Sequence, residues 1–572
     1  MNRRDTVLLI GGWVCLGVGI WVAQTMPARG YELSLYGNTP IGFWIAISVA
    51  MGISIWTVLS PSLRTAVTGG ALGVSGVVAI MFLPVIRGYH YLGIADPITH
   101  LGFARDLSTG AATAVDLPYP GVHLLGITIG ELAGIDLQTG LLLGGLGIMT
   151  TFFFTVPLLV REISPSPVAV GYALLIALLL LPVNGVSVHP RVHPFTQMVF
   201  FTPLFLYALV QVKRSNRPEW VAAFLGIAGG VLVYHAQVAL ALALFALIVA
   251  AVDYSLSKST LVPVGFESGR QHILSLSVAF LVLSVTYTLD LLARLLSSLA
   301  FRLFVVRQTT VEERVDAATE LGVDPLILVL RTGAPAIVLS VIALLAIGVW
   351  TRNRTNPWTG YFAVGSVAFA FIGGLYVLAG QINQFTRYAS LGLVIVAVLA
   401  PLGLAAIDDQ YRPRFGTPSV RTVAVVAFCL LLLASVPAMF IGPYTERPNQ
   451  HITEAMVDGT ETAFEYDDGE TPYYGINIDR FDDAIYGASA DRIGNDERAG
   501  VGELEYELRP EVLENLENDQ YLLLTTYQYE QDVTLHGGVR NSESDYERLD
   551  AEPFISRLSS GEETTLYRVS SE

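Results

Sequence analysis

The hydrophobic residues of this chain are grouped into long, nearly uninterrupted stretches. A membrane-spanning helix needs roughly 17–25 mainly apolar residues, and thirteen segments meet or closely approach this length. These segments are 7–25, 41–59, 67–86, 138–160, 167–183, 195–212, 219–234, 236–253, 272–289, 333–350, 359–379, 389–406 and 421–441. The pattern therefore predicts a polytopic α-helical membrane protein with about thirteen transmembrane helices.

One further apolar segment, 121–134, is ambiguous because it carries Glu131 and ends at Gly134. It is either a fourteenth span or a helix lying at the membrane surface. Basic residues favour the cytoplasmic side of a membrane, and thirteen spans with Arg3 and Arg4 inside put all the later basic clusters inside as well. Those clusters are Arg161, Lys213/Arg214/Arg217, Lys258/Arg270, Arg352/Arg354 and Arg412/Arg414/Arg421. We therefore expect an interfacial helix at 121–134 and a cytoplasmic N-terminus.

Composition agrees with this class of protein. Of 572 residues, 52% are hydrophobic and 15% are charged, and the mean hydropathy is +0.54. Soluble proteins carry roughly 25% charged residues, so an ordinary soluble enzyme is excluded. Cys15 and Cys429 both lie in apolar segments, which excludes a disulfide framework.

Charge divides the chain into two parts. Residues 446–572 hold 31 of the 50 acidic and 9 of the 33 basic residues. We expect a transmembrane domain, 1–445, with long outer loops at 87–137 and 290–332, followed by an acidic extracellular domain, 446–572. Strand-like runs at 521–527 and 564–569 predict a mixed α/β fold for the acidic domain.

The chain contains two lysines, Lys213 and Lys258, against 31 arginines. An acidic surface almost without lysine is typical of adaptation to high salt, which favours a haloarchaeal source. The acidity also argues against a nucleic-acid partner, because binding to a phosphate backbone needs clustered basic residues.

The polar residues of the outer connections are the main functional signal. Eight of the nine histidines fall on the predicted outer side, and ionisable groups at membrane depth are usually functional. The candidate binding residues come from separate connections: His100, Arg105, His123, His189, Arg191, His193, His235, Arg302 and Arg387. We therefore expect an active site at the outer lipid–water boundary.

Asp96 is the principal candidate for a catalytic carboxylate, and Asp106 is the second. Since Pro97 favours a turn before it, Asp96 could instead be the N-cap of a helix beginning at that proline. The histidines and tyrosines could simply favour headgroup depth. Arg387 suits bidentate binding of a phosphate, although it could also extend to lipid headgroups.

Two sequence features bear on cofactors and on the second outer loop. His189 and His193 have the i, i+4 spacing of a zinc site, but Pro190 and Pro194 interrupt the helix that such a pair needs. No cofactor is certain, and a divalent metal stays open. In 290–307, polar residues recur every four positions up to Arg302, which predicts a helix in the headgroup layer; 311–320 resembles a short soluble helix.

The stretch 91–106, Tyr-Leu-Gly-Ile-Ala-Asp-Pro-Ile-Thr-His-Leu-Gly-Phe-Ala-Arg-Asp, is followed by Tyr-Pro-Gly-Val-His at 119–123. Together with the many spans and the long first outer loop, it resembles the GT-C glycosyltransferases, which use polyprenyl-phosphate-linked sugars on the outer face. It is similar to a group of archaeal GT-C-like proteins, one of which is a dolichol phosphate-mannose mannosyltransferase that completes an N-linked S-layer glycan. The Asp-x-Asp or Asp-Glu pair usual in this loop is absent, which leaves the base and any metal requirement open.

The resemblance implies an inverting transfer of one hexose, expected to be mannose, from dolichyl phosphate to a glycan or glycoprotein. Asp96 would be the base, and Arg387, with Arg191 or Arg302, would hold the phosphate. His100, His123 and His235 would position sugar or acceptor. The acidic domain would help to dock the acceptor, with stacking surfaces at Tyr473, Tyr474 and Tyr486.

Three alternatives remain. A transporter or flippase of lipid-linked glycans would bind its substrate near the midplane, between repeated halves, and no such repeat is evident. A noncatalytic surface-layer assembly protein would not need the polar residues of the outer loops. An oligosaccharyltransferase of the same fold would carry a Trp-Trp-Asp motif, which does not occur in the sequence.

Overall fold

The computed structural model describes most of the chain. The described residues are 2–117, 119–179, 189–215, 217–258, 270–289, 293, 297, 319, 324–353, 356–415, 417–466, 468–488, 501–502 and 507–571. The predicted headgroup helix at 290–307 and the predicted soluble helix at 311–320 therefore lie almost entirely outside the described residues.

Helices dominate the first 435 residues. In chain order they are α1 Arg3–Gln24, α2 Leu35–Asn38, α3 Ile41–Val58, α4 Leu63–Met81, α5 Leu83–Ile86, α6 Asp96–Thr109, α7 Pro120–Ala133, α8 Leu137–Ile163, α9 Pro167–Leu178, α10 Pro194–Ser215, α11 Pro218–Tyr234, α12 Ala236–Lys258, α13 Arg270–Tyr287, α14 Pro325–Asn353, α15 Pro357–Gly365, α16 Val367–Leu378, α17 Ile382–Phe415 and α18 Thr417–Ser435. Several begin at proline, which is compatible with the first turn of a helix because it lacks an N–H that would have no partner there.

Within the described residues, ten helices are long and apolar enough to cross a membrane. Three shorter apolar helices, Pro167–Leu178, Pro218–Tyr234 and Ile273–Tyr287, complete the set. Together they correspond one to one with the thirteen predicted segments. The prediction of a multi-pass helical membrane protein is confirmed.

The ambiguous segment 121–134 forms α7, a helix of 14 residues. At 1.5 Å per residue it is about 21 Å long, which is shorter than the roughly 30 Å hydrocarbon core. It packs closely on α8, where Gly126 faces Leu141 and Gly140 faces the carbonyl of Gly126. This geometry favours a helix that does not cross the membrane by itself.

The polar contacts of the bundle gather at its two ends. At the end predicted to be cytoplasmic, Arg214 pairs with Glu162 and Lys213 pairs with Asp253. At the other end, Arg87 forms a buried bidentate ion pair with Glu32. The first two contacts bring the C-terminal ends of α8, α10 and α12 together, as the predicted alternation of helix directions requires, while the sidedness of each end stays a prediction.

The acidic segment folds as a mixed α/β unit, as its strand-like runs predict. Its helices are α19 Glu454–Phe464, α20 Ile478–Tyr486, α21 Pro510–Leu513, α22 Thr526–Tyr529 and α23 Glu543–Arg548. Its strands are β2 His451–Ile452, β3 Tyr473–Tyr474, β4 Val501–Gly502, β5 Gln520–Thr525, β6 Ile555–Ser560 and β7 Thr564–Val569. Five of them form a sheet in the order β4-β3-β5-β7-β6, in which β3 is parallel to β4 and β5 and the other pairs are antiparallel.

One strand pair joins the two parts of the chain. β1, Tyr91–Leu92 in the first outer loop, pairs antiparallel with β2, so that Tyr91 faces Ile452 and Leu92 faces His451. The boundary predicted at 445/446 is therefore a change in composition and not a spatial gap, because the chain just beyond it lies against the loop that carries Asp96.

The topology leads to a labelling prediction. In a variant without Cys15 and Cys429, cysteine placed at Val115 or Val539, which are 92% and 56% exposed, should react with an impermeant maleimide on intact cells. Cysteine at Arg217 should react only after the cells are permeabilised. Labelling of the Arg217 variant alone on intact cells would invert the orientation.

Candidate active site

The site is organised around the start of α6. Gly93 has a φ of +120° and Ala95 a φ of +65°, so the loop adopts left-handed conformations that are costly for alanine. A side chain at Gly93 would collide with Pro97. The loop is held by the Gly93 N–H, which donates to the Gln450 carbonyl at 2.8 Å, and by the Tyr91 hydroxyl, which donates to the Pro97 carbonyl at 2.8 Å.

The structure corrects the helix-capping alternative for Asp96. The helix begins at Asp96 itself, with Ala95 in the N-cap position, and no side chain caps it. The Asp96 carboxylate instead lies 57% exposed, with Oδ2 4.0 Å from Nε2 of His193. Nδ1 of His193 accepts from the Thr196 N–H at 3.4 Å. A neutral His193 therefore carries its proton on Nε2, directed towards Asp96.

Guanidinium groups border this carboxylate. Burial lowers the pKa of Arg191 to about 10, while the Asp96 carboxylate acts to raise it and Arg447 and Arg387 act to lower it. Arg191 donates to Oε1 of Gln450 at 3.1 Å. The site therefore concentrates positive charge around one exposed carboxylate, and an anionic ligand would stabilise that arrangement.

Arg387 approaches the site from the start of α17. Its guanidinium lies 5.5 Å from the ring centroid of Phe195 and donates to Oε1 of Gln237 at 3.5 Å. Gln237 in turn donates to the Tyr388 hydroxyl at 2.9 Å. These contacts orient the guanidinium at the rim of the site, where it remains half-buried.

His235 forms part of the wall of the site. The turn between α11 and α12 is as short as predicted, since α11 ends at Tyr234 and α12 begins at Ala236. The ring of His235 stacks on Tyr119 at 4.7 Å and meets the ring of Phe195 edge-on at 5.4 Å. Its Nδ1 accepts from the Val238 N–H at 3.3 Å, and burial, with Arg387 nearby, lowers its pKa.

His100 and His123 form a buried pair, with Nδ1 of His100 3.1 Å from Nε2 of His123. Burial lowers the pKa of His100 to about 4, although the Asp96 carboxylate partly opposes this shift. His123 is 0% exposed, and burial lowers its pKa too. At neutral pH both rings are therefore uncharged. His123 supports His100, and the substrate contact that the resemblance implied for His123 stays a prediction.

Three predicted site residues lie elsewhere. His189 is hydrogen-bonded through Nδ1 to the Met439 carbonyl at 2.7 Å. Arg105 donates to the Ile485 carbonyl, and the Asp106 carboxylate accepts from the Ala488 N–H at 2.8 Å. Asp106 is 2% exposed. Sequence proximity to Asp96 was misleading here, because these two residues of α6 face the acidic domain and not the cluster.

Two further sequence predictions have different outcomes. Arg302 lies outside the described residues. Tyr473 is fully buried between Phe464 and Tyr521, so it belongs to the core of the acidic domain and offers no stacking surface for a glycan. Tyr474 and Tyr486 are half-buried.

Sequence reasoning missed several contributors to the site. They are Tyr119, Phe195, Gln237, Arg447 and Gln450. Arg447 and Gln450 follow the last span and were grouped with the acidic domain on charge alone. Only five residues separate the last predicted span, 421–441, from Arg447. This short interval keeps Arg447 and Gln450 near the membrane boundary, and it was the sequence signal that could have identified them.

Among the residues that the structure describes, no group of three His, Cys, Asp or Glu side chains is placed to hold a metal ion. In particular, His189 and His193 turn to separate partners, Met439 and Thr196. The residues present suit acid–base chemistry next to an anion: an exposed carboxylate lies 4.0 Å from a histidine nitrogen and interacts electrostatically with the Arg191 guanidinium.

Comparisons with known proteins give a limited picture. No protein-family model and no curated protein matches the chain. Among solved structures, the oligosaccharyltransferase of Archaeoglobus fulgidus in the apo form shares 12% identity over 82% of this chain and 72% of its own, with a TM-score of 0.48. ArnT from Cupriavidus metallidurans, bound to undecaprenyl phosphate, shares 12% over 92% and 98%, with a TM-score of 0.45. The mycobacterial arabinofuranosyltransferase AftD shares 13% over 88% and 41%, with a TM-score of 0.43. These similarities are too weak to establish a fold or an activity by themselves.

The placement of Asp106 predicts a structural role. Asp106→Ala should lower the free energy of unfolding by about 1–3 kcal/mol, because the Ala488 N–H loses its acceptor in a part-buried contact. The measurement is thermal unfolding of the purified protein in detergent at high salt. Asp116→Ala is the control, since the Asp116 carboxylate is exposed in the same loop and accepts only local hydrogen bonds from Thr113. Equal losses in the two variants would contradict this role.

Proposed function

We propose that this protein is a membrane glycosyltransferase of the GT-C type that transfers a sugar from a polyprenyl phosphate to an acceptor hydroxyl. The observation that carries the proposal is the exposed Asp96 carboxylate, 4.0 Å from His193 and within the electrostatic reach of Arg191, at one end of an apolar helical bundle. A lipid-linked substrate keeps its chain in the bilayer, and its phosphate then lies at the depth of these residues.

The proposed reaction is a single displacement. Asp96 accepts the proton of the acceptor hydroxyl as the oxygen attacks the anomeric carbon. The bond between that carbon and the phosphate oxygen breaks, and the polyprenyl phosphate leaves with the electron pair. Arg387 and Arg191 stabilise the negative charge on the departing phosphate. Attack from the face opposite the leaving group inverts the configuration of the sugar.

The remaining site residues have supporting roles in this proposal. His193 flanks the Asp96 carboxylate, with its Nε2 4.0 Å from Oδ2, which is longer than a hydrogen bond. Tyr119 and Phe195 hold the ring of His235 from two sides, and of these three rings only that of Tyr119 is partly exposed for contact with a sugar. His100 is held by His123 beneath α6.

The finer assignment rests on the sequence resemblance. It names dolichyl phosphate as the carrier, a single hexose, expected to be mannose, as the transferred group, and a glycan of the surface-layer glycoprotein as the acceptor. The outer face of the membrane is the proposed location. Deletion of the gene should therefore shorten the lipid-derived surface glycan by one hexose, as measured by mass spectrometry of the glycoprotein.

The same experiment separates the rival functions. Normal glycans in the deletion strain would contradict the enzyme. A full-length lipid-linked glycan retained on the inner leaflet would favour a flippase. Loss of surface-layer assembly with intact glycans would favour the noncatalytic assembly protein.

The base is tested by Asp96→Asn. The amide retains the size of the side chain but cannot accept the proton, so transfer in a detergent assay with dolichyl-phosphate mannose should fall about 10²–10⁴-fold. Donor binding should persist. Asp116→Asn, in the same loop, should retain activity. An active Asp96→Asn enzyme would contradict the base assignment.

Phosphate binding is tested by Arg387→Gln. Losing a charge-assisted contact of about 1.5–3 kcal/mol should weaken donor binding by roughly 10- to 150-fold. The measurement is competition by dolichyl phosphate against a labelled donor. Arg29→Gln is the matched control, because Arg29 is exposed at the same end of the bundle. Unchanged affinity in Arg387→Gln would remove this arginine from the phosphate site.

A further inference from the structure

Helix α6 has a second face that the proposed chemistry does not use. That face lies against α20 of the acidic domain. A side chain at Gly102 would overlap the carbonyl of Asp483, and one at Gly487 would overlap the carboxylate of Asp106. Because neither glycine has a side chain, the backbones of α6 and α20 come closer together than any larger residue would allow. This close packing fixes the distance between the two helices.

A small polar network lies at the start of this interface. The Thr99 hydroxyl donates to Oδ2 of Asp483 at 2.7 Å and accepts from Nη1 of Arg480 at 3.2 Å. Arg480 also approaches the carboxylates of Asp479 at 3.2 Å and Asp483 at 3.8 Å. Thr99 is 8% exposed, and both of its hydrogen bonds are part-buried.

This polar network lies close to Asp96 along α6. Thr99 follows Asp96 by three residues, less than one helical turn, and directly precedes His100. Any rotation or axial shift of α6 that breaks the Thr99 contacts therefore also moves the Asp96 carboxylate relative to His193 and Arg191. Displacements of about 1 Å in a reacting group can cost up to roughly 10²-fold in rate.

The charge state of Asp483 fits an acceptor role. Burial raises the pKa of the Asp483 carboxyl to about 6, whereas the Thr99 hydroxyl and Arg480 act to lower it. At neutral pH the carboxylate is therefore mainly ionised. The ionised carboxylate accepts a hydrogen bond from the Thr99 hydroxyl and has no proton with which to donate one.

We propose that Asp483 of the acidic domain is a positioning residue for the active site, and that it acts through Thr99 to hold α6 in the orientation that presents Asp96. The acidic domain is then a clamp on the catalytic helix. This inference rests on the proposed function for its kinetic readout. It has a structural readout that is independent of that function.

The kinetic test uses Thr99→Val, which keeps the shape of the side chain and removes the hydroxyl. We expect kcat for sugar transfer to fall roughly 10- to 100-fold, with KM for dolichyl-phosphate mannose changed less than about threefold. Thr99→Ser restores the hydroxyl and should retain kcat within about threefold. Asp483→Ala, which removes the acceptor, should resemble Thr99→Val, and combining the two should add little, because both break one contact.

Asp479→Ala is the matched control. Asp479 lies on the same helix and contacts the same Arg480, but its carboxylate makes no hydrogen bond to Thr99 in the described structure. Its kcat should stay near that of the wild type. Equal kcat values for Thr99→Val and Thr99→Ser, or a rise in KM with kcat unchanged, would overturn the positioning role.

Hydrogen–deuterium exchange supplies the independent readout. In the full-length protein, Thr99→Val and Asp483→Ala should speed amide exchange across 96–109 at least tenfold, whereas Thr99→Ser and Asp479→Ala should not. Unchanged exchange in both Thr99→Val and Asp483→Ala would overturn the proposal. An inactive wild-type protein would instead count against the proposed function, and the exchange result would still decide whether the clamp exists.

Discussion

The attachment of α6 on both of its faces is the constraint on which the site depends. One face meets the bundle through the Tyr91–Pro97 hydrogen bond and the His100–His123 pair. The other meets α20 through Thr99, Arg105 and Asp106. A 14-residue helix in a loop would be marginally stable alone, so its position is set by partners from both ends of the chain. The exposed carboxylate at its start is held in place by contacts it does not itself make.

The hydrocarbon core explains why the polar residues collect where they do. A charged group inside the bilayer is costly unless paired, so ionisable side chains move to the ends of the bundle. At one end Lys213, Asp253 and Tyr361 satisfy one another, with the Tyr361 hydroxyl donating to Asp253 at 2.6 Å. At the other, Asp96 keeps most of its carboxylate available. The first arrangement is complete as a structural ion pair, and the second has capacity for a ligand.

The sequence predicted the elements more successfully than their contacts. Spans follow from length and hydropathy, and β5 and β7 follow from β-branched and aromatic runs, because these are local properties. The partners of Arg105 and Asp106 lie about 380 residues away, and no local pattern reveals them. The burial of Tyr473 was equally hidden, since a tyrosine suits a core as well as a sugar-binding surface. The role of Asp96 as the base stays a prediction, and its exposure beside His193 is likewise a long-range feature that no local pattern encodes.

The β1–β2 pair connects the acidic segment to the loop between α5 and α6, a contact that the charge distribution along the chain does not reveal. The residues that follow the last transmembrane helix return to the loop between α5 and α6 before the acidic sheet begins. Gln450 and His451 therefore contact the transmembrane part of the chain through that loop. Residues 450–452 of the acidic segment therefore pair with the loop that precedes α6. An exchange of this domain between related chains, cut where the charge changes at 446, would exchange part of the site as well. A cut after β2, beyond Ile452, would leave that strand with the loop it completes.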